Sequence, residues 1–190
     1  MKIIRCIKAM TNRKKLKYFL LWYGVIAVLV LLDQAVKYLT VRYLAGGSLP
    51  LIDGVLHLTY VENRGAAFGI LSDHRWVYMT VSGAATVILS YILYRLSTHD
   101  KLFCISLLMI IGGGIGNMVD RVFRGFVVDM VDVRLIHFAV FNVADTFICV
   151  GAALMVIYLI FFDKTLLREQ VPIEKKPDAA SDQEGDGSAE

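Results

Sequence analysis

Four apolar runs, residues 18–36, 76–94, 102–119 and 146–162, set the rhythm of the chain, and Asp33 is the only charge inside them. Each run is apolar on all sides rather than alternating, and each is close to the ~20 residues a helix needs to cross a bilayer core. The pattern predicts four membrane-spanning helices. Between the first two runs, residues 49–61 (LPLIDGVLHLTYV) set the turn pair Asp53-Gly54 between short β-prone stretches, which predicts a hairpin. Residues 125–133 (GFVVDMVDV), between the last two runs, are β-prone as well and are a candidate partner for it. The expected fold class is an all-α integral membrane protein carrying a small strand-forming region at one membrane surface.

Composition agrees. The chain has 190 residues, 57% of them hydrophobic, and a mean hydropathy of +0.60, too apolar for a soluble domain and too short for several domains. Basic residues orient it, because Lys and Arg in short loops stay on the cytoplasmic side. Seven precede the first run, Arg95 and Lys101 lie in the short second connection, and Lys164, Arg168, Lys175 and Lys176 follow the last run. The connections 40–75 and 120–145 hold only Arg42, Arg64, Arg75, Arg121, Arg124 and Arg134. Both termini are therefore expected in the cytoplasm, with those two connections outside. The net charge of +3 follows from this asymmetry and gives no reason to expect a nucleic-acid partner.

The chain divides into a basic leader, 1–17, a membrane body, 18–163, and a tail, 164–190, whose polar, acidic, Gly/Ser-containing end has the composition of a disordered segment. The leader and first run resemble a signal peptide, but residues 33–37 offer no small-x-small cleavage site, so they read as an uncleaved anchor. Cys6, Cys104 and Cys149 sit in or beside the runs and read as packing residues. No Cys/His spacing suits a metal, and no metal or other cofactor is expected.

The candidate chemistry lies at the predicted outer ends of the runs. Asn117 and Asp120, three apart, share a helix face there, as do Asn142 and Asp145, and Asp129 lies in the loop between them. A charge near hydrocarbon costs at least ~2.5–3.5 kcal/mol, so such acids need a partner or a function. Close carboxylates can share one proton, leaving one as base and the other as donor, which suits water activation. The same residues also read as solvated loop acids, with Asp145 as a helix cap. Gly112, Gly113, Gly114 and Gly116 read first as close helix packing. Asn63-Arg64-Gly65 reads either as a polar turn or as a close approach to a ligand. Asp33 and Lys37, four apart, read as a helix-end ion pair, and a Lys37/Ser48 protease dyad has nothing to bring its members together.

Asp33-Gln34 followed by Lys37, NRGAAFG at 63–69, GGIGNMVDR at 113–121, GFVVDM at 125–130 and FNVADT at 141–146 occur in that order. Together they resemble the lipoprotein signal peptidase family, also called signal peptidase II, over residues 18–163. The resemblance implies four transmembrane helices with a small extracytoplasmic β-cradle in the bacterial inner membrane. It implies an aspartic endopeptidase that removes the signal peptide from diacylglyceryl-modified prolipoproteins, cutting before the lipidated cysteine, with those substrates and membrane lipids as its partners. Asp129 and Asp145 match the catalytic pair. Asn117, Asp120, Arg121 and Asn142 match supporting positions, Asn63 and Gly65 the outer segment that closes over substrate, and Asp33 and Lys37 a structural position on the first helix. Arg64 and Arg134 flank these blocks at positions the resemblance does not assign. An ion-coupled transporter would also place Asp and Asn in a membrane, but it calls for broken helices and an internal repeat that the sequence lacks.

Overall fold

In the computed structural model, which describes residues 2–65, 75–96 and 100–162, the strand-bearing region joins four long helices at one end of the bundle. The helices are α1 (Lys2–Leu44), α2 (Arg75–Arg95), α3 (Lys101–Phe123) and α4 (Val143–Phe161). All four contain stretches long and apolar enough to cross a membrane: Leu16–Leu44, Trp76–Arg95, Lys101–Phe123 and Val143–Phe161. The chain is a multi-pass membrane protein. Residues 66–69 of the NRGAAFG block and the tail from 163 onward lie outside the described residues.

Two boundaries differ from expectation. The backbone of α1 is helical from Lys2, so the basic leader and the first span form one continuous element. That helix also runs on to Leu44, which sets Asp33 and Lys37 well inside it rather than at its end.

The bundle is organised around α3, which packs against α1, α2 and α4. Half of its apolar window, 50%, is buried, against 6% for α2, so α3 is the central helix and the others turn most of their surface outward. Leu31, Val81, Val87 and Ile160 are among the exposed apolar side chains, as expected of helices solvated by lipid. Ile26, Leu93, Cys104, Leu107, Leu108 and Ile111 form the buried apolar cluster. Cys104 thus packs as expected, whereas Cys149 lies on the exposed surface.

Glycines set the closeness of α3 to its neighbours. A Cβ on Gly113 would run into the Ala144 carbonyl, and one on Gly116 would lie 2.6 Å from Asp33 Oδ2. Across the same contact, a Cβ on Gly151 would meet Ser106 O at 2.9 Å. The packing reading of the glycines therefore holds at Gly113 and Gly116, and at Gly112, where a Cβ would lie 3.1 Å from Leu29 Cβ, whereas Gly114 has room, its nearest atom 3.5 Å away.

The strands β1 (Ser48–Ile52), β2 (Leu56–Asn63) and β3 (Val127–Val133) form one antiparallel sheet in that order. The expected hairpin forms. Gly54, at φ +68°, takes the left-handed position of its turn, and Val55 N–H closes it on Ile52 O at 3.0 Å. A register shift between Leu58 and Val61 marks a bulge, beyond which Val61 faces Asp129 and Asn63 faces Val127. Earlier along β2, His57 is paired with Asp132. Arg134 pairs with Asp132 at 2.9 Å and donates to Ser48 Oγ at 3.1 Å, fastening β1 to the end of β3. These bonds hold the Asp132 carboxyl below its usual range, with Arg134 the largest cause. Past β3, Phe141 O accepts from Met130 N and Val131 N at 3.0 and 2.8 Å, which brings the chain back to the start of α4.

Gly113→Ala should lower thermal stability in detergent by ~1–3 kcal/mol, because the α3–α4 contact must open to admit a methyl group. Gly24→Ala, which meets nothing within 4 Å, should be neutral or slightly stabilising. Equal melting temperatures for the two variants would show that α3 and α4 are not packed this closely.

Candidate active site

The site begins with a buried lysine. Lys37 Nζ lies 2.9 Å from Asp33 Oδ2, 3.0 Å from Asp120 Oδ2 and 2.8 Å from Asn117 Oδ1. Lys37 and Asp33 are wholly buried and Asp120 is 1% exposed, so no solvent screens these pairs. An ammonium has three hydrogens, and three acceptors surround it. The Asp33 carboxylate also accepts Ala144 N–H at 2.9 Å, tying α1 to the first turn of α4.

Asp120 joins three elements. Its Oδ1 accepts from Arg124 at 2.7 Å, and its Oδ2 accepts Val128 N–H at 3.1 Å as well as Lys37. The bond to Val128 fixes the strand one residue before Asp129. Arg121, next to Asp120 in the chain, turns elsewhere: it donates to Asn117 O and Gly65 O at 3.4 Å, and its guanidinium lies 5.2 Å from the centre of the Tyr78 ring. Arg124 holds Asp120 because four residues along a helix returns to the same face, and that spacing was available in the sequence.

The two Asn-x-x-Asp pairs also form differently from expectation. Asn117 gives its N–H not to Asp120 but across the bundle to Asp145 Oδ1, at 2.7 Å. Asn142 caps α4, accepting Asp145 N–H at 2.9 Å, while Asp145 Oδ2 accepts Asn142 N–H at 3.3 Å. The expectation that Asp145 caps the helix is therefore met by the pair jointly. Asn142 Nδ2 then donates to Asp129 Oδ1 at 2.6 Å and to Asn117 Oδ1 at 3.1 Å.

From the sheet, Asn63 Nδ2 donates to Asp129 Oδ2 at 2.9 Å, while Asn63 Oδ1 accepts Gly65 N–H at 3.0 Å. Asn63-Arg64-Gly65 is thus a turn and a contact to the acid at once. Arg64 points away, paired with Glu62 at 3.0 Å and lying over the Phe126 ring. Asp129 is 1% exposed. Burial pushes its carboxyl up from 3.8 to about 6, the donors Asn63 and Asn142 work against that rise, and nearby Asp145 adds to it. Asp145 itself is half-buried. Asp129, Asp145, Asn63, Asn117 and Asn142 form one hydrogen-bonded cluster, with Asp33, Lys37 and Asp120 behind it and Arg121 and Gly65 at its edge.

Ser48 takes no part. Its hydroxyl is bonded to Thr59 at 2.8 Å and accepts from Arg134, while all three Lys37 hydrogens are committed elsewhere, so the Lys37/Ser48 dyad does not form. Among the described residues, no three His, Cys, Asp or Glu side chains are grouped as metal ligands would be.

A family model described as Signal peptidase (SPase) II matches residues 25–161. The chain is 39% identical over 154 residues to a lipoprotein signal peptidase of Halalkalibacterium halodurans, covering 80% of this chain and 99% of that one. It is 43% identical over 146 residues to a lipoprotein signal peptidase of Clostridioides difficile, covering 76% and 97%. A solved bacterial membrane enzyme, determined in meso at 2.3 Å, shares the fold with a TM-score of 0.69 and 26% identity, over 80% of this chain and 94% of that chain. A second, at 1.9 Å, gives a TM-score of 0.67 and 28% identity, over 74% and 93%.

Asp120→Asn removes the counter-charge shared by Lys37 and Arg124 and weakens the anchor at Val128. It should cost ~3–5 kcal/mol, the range for breaking a buried ion pair on one side, with a matching loss of folded yield. A variant that melts like the parent would remove Asp120 from its supporting role.

Proposed function

The chain belongs to the signal peptidase II family and is accordingly a membrane protease. We propose that it is an aspartic endopeptidase that removes the signal peptide from diacylglyceryl-modified prolipoproteins, cleaving before the lipidated cysteine, with Asp129 and Asp145 as its catalytic pair. The observation that carries this reading is Asn142, which bonds both acids: its amide donates to Asp129, and its backbone N–H and side-chain oxygen engage Asp145.

Asp129, with its carboxyl raised to about 6, holds the shared proton. Asp145 takes a proton from the attacking water as the water oxygen bonds to the scissile carbonyl carbon, and Asp129 gives its proton to the carbonyl oxygen. The C–N bond then breaks. The leaving amine takes the proton from Asp145, a hydroxyl of the intermediate returns one to Asp129, and the pair is restored. Asn63, Asn117 and Asn142 hold the carboxylates in place, and Arg121 with Gly65 borders the space a substrate would occupy.

The substrate's signal helix and acyl chains reach such a site through the lipid, and water reaches it from the outer surface. The supporting residues lie in the C-terminal part of α1, near the C-terminal end of α3 and at the N-terminal end of α4. This agrees with a topology that puts both termini in the cytoplasm and the sheet outside.

Asp129→Asn and Asp145→Asn should each lower kcat for a lipidated prolipoprotein by roughly 10⁴-fold, with the double variant little worse, because the pair acts as one unit. Gel-shift assays of purified variants measure this, and chelators should leave the parent's rate unchanged. Substantial turnover by either single variant would end the aspartic reading.

The reading also sets a pH dependence. Because the active form needs the Asp129 proton, kcat/KM of the parent should fall as pH rises through about 6. Asn63 stabilises the ionised form, so Asn63→Ala should move that descending limb to higher pH. A limb that stays in place or moves down would detach Asp129 from the proton-holding role.

A further inference from the structure

We propose that Lys37 is a positioning residue: its ammonium sets the direction of the buried amides of Asn117 and Asn142, and thereby delivers one amide N–H to each carboxylate of the reacting pair. The inference rests on the function proposed above and gives a role in it to a residue that otherwise only anchors a helix.

The argument is a count of hydrogens. If Lys37 served only as an ion-pair partner for Asp33, one hydrogen would suffice. Its third goes to an uncharged amide, Asn117 Oδ1, at 2.8 Å. Turned the other way, Asn117 would set its own N–H groups against the ammonium and its oxygen against Asp145 Oδ1, at the position where the amide nitrogen now sits 2.7 Å away. Both contacts would become repulsive in a site where Asn117 is 7% exposed, so only one direction is available.

That choice passes to the second amide. Asn117 Oδ1 also faces Asn142 Nδ2 at 3.1 Å, and the same nitrogen faces Asp129 Oδ1 at 2.6 Å. Reversing Asn142 would bring three oxygens together and turn its nitrogen toward Asp145 N–H, which now donates to Asn142 Oδ1 at 2.9 Å. Lys37 therefore fixes Asn117, Asn117 fixes Asn142, and the two amides reach Asp145 and Asp129 respectively. On the opposite side, Asn63 is fixed independently by Gly65 N–H.

Charge balance separates this role from a structural one. Asp33, Lys37, Asp120 and Arg124 form a chain of paired charges that sums to zero. Lys37→Met leaves two buried carboxylates with one cation and should lose folded yield. The double variant Asp33→Asn/Lys37→Met removes one charge of each sign and leaves Asp120 with Arg124.

The experiment compares parent, Lys37→Met and the double variant in detergent, by melting temperature, by kcat and KM on a lipidated prolipoprotein, and by the pH profile of kcat. The double variant should regain most of the lost stability. Its kcat should remain about tenfold or more below the parent's with KM changed less than about twofold, and the descending limb of its pH profile should move up by about one pH unit. The direction follows from loss of a fixed donor, since the Asn142 amide favours the ionised form of Asp129; the two charges removed are of opposite sign, and Arg121 and Asn63 face the pair unchanged. Recovery of kcat and pH profile together with stability would make Lys37 a structural residue only and overturn the inference. So would a double variant that fails to accumulate, since folding would then account for the residue. A parent that cannot cleave the substrate at all would instead refute the proposed function.

Discussion

Burying an ammonium among helices is expensive, and the expense is offset here only because Lys37 finds three acceptors at 2.8–3.0 Å. Two of those acceptors are carboxylates with further obligations of their own. Asp33 accepts a backbone N–H of α4, and Asp120 accepts one of β3. A single buried charge therefore ties together α1, α3, α4 and the sheet. Removing one partner would leave the others desolvated and unpaired, which costs far more than the pair contributes when complete. The candidate site sits on this support and inherits its geometry.

The network in turn needs small residues around it. Asp33 reaches Ala144 N–H only because Gly116 offers no side chain, and α4 lies against α3 only because Gly113 leaves room for the Ala144 carbonyl. In lipid, helices gain little from burying apolar surface against one another, so close backbone approach and polar contacts must supply the specificity. Glycines and charges thus form one device, in which the former create the space and the latter fill it.

Much of this was legible in the chain. Continuous apolar runs give the spans, the Asp53-Gly54 pair gives the hairpin, and the β-prone stretch after Gly125 gives the third strand. The acids that cluster were identifiable from the cost of charge near a membrane. Of the bonds among them, the ion pair of Asp33 with Lys37 was legible and forms, but the bonds between elements were not. Local spacing pairs Asn117 with Asp120 and Asp33 with Lys37 as neighbours on one helix, whereas the decisive bonds of Asn117 run to Asp145, Lys37 and Asn142 on other helices. Sequence spacing reports contacts within an element, and an amide has no preference for its own helix once a charged group on another is closer. Arg124 differs: it lies past the third apolar run and so reads as a loop charge, although its spacing from Asp120 is that of a helical ion pair.

Asp129 shows why such a site needs both burial and donors. Among hydrocarbon and helix ends, an isolated carboxyl would stay protonated; with amide donors on both oxygens in water, it would stay ionised. Burial outweighs the donors here and holds it at about 6, where either form is accessible. The consequence for stability has a definite sign. A carboxyl raised above its unfolded value contributes stability fully at low pH and loses it as pH rises through about 6, so the ionised form of Asp129 is a cost to the fold. Lys37 and its partners lie one amide away from that cost, close enough to orient the donors that limit it, yet bonded so completely to Asp33, Asp120 and Asn117 that Lys37 keeps no hydrogen to neutralise Asp129 directly. An ammonium bonded to the acid itself would lock it ionised and rule out the proton-donor role proposed for it. Interposed amides transmit direction without transferring the charge, which is the arrangement the proposed proton-exchanging pair requires.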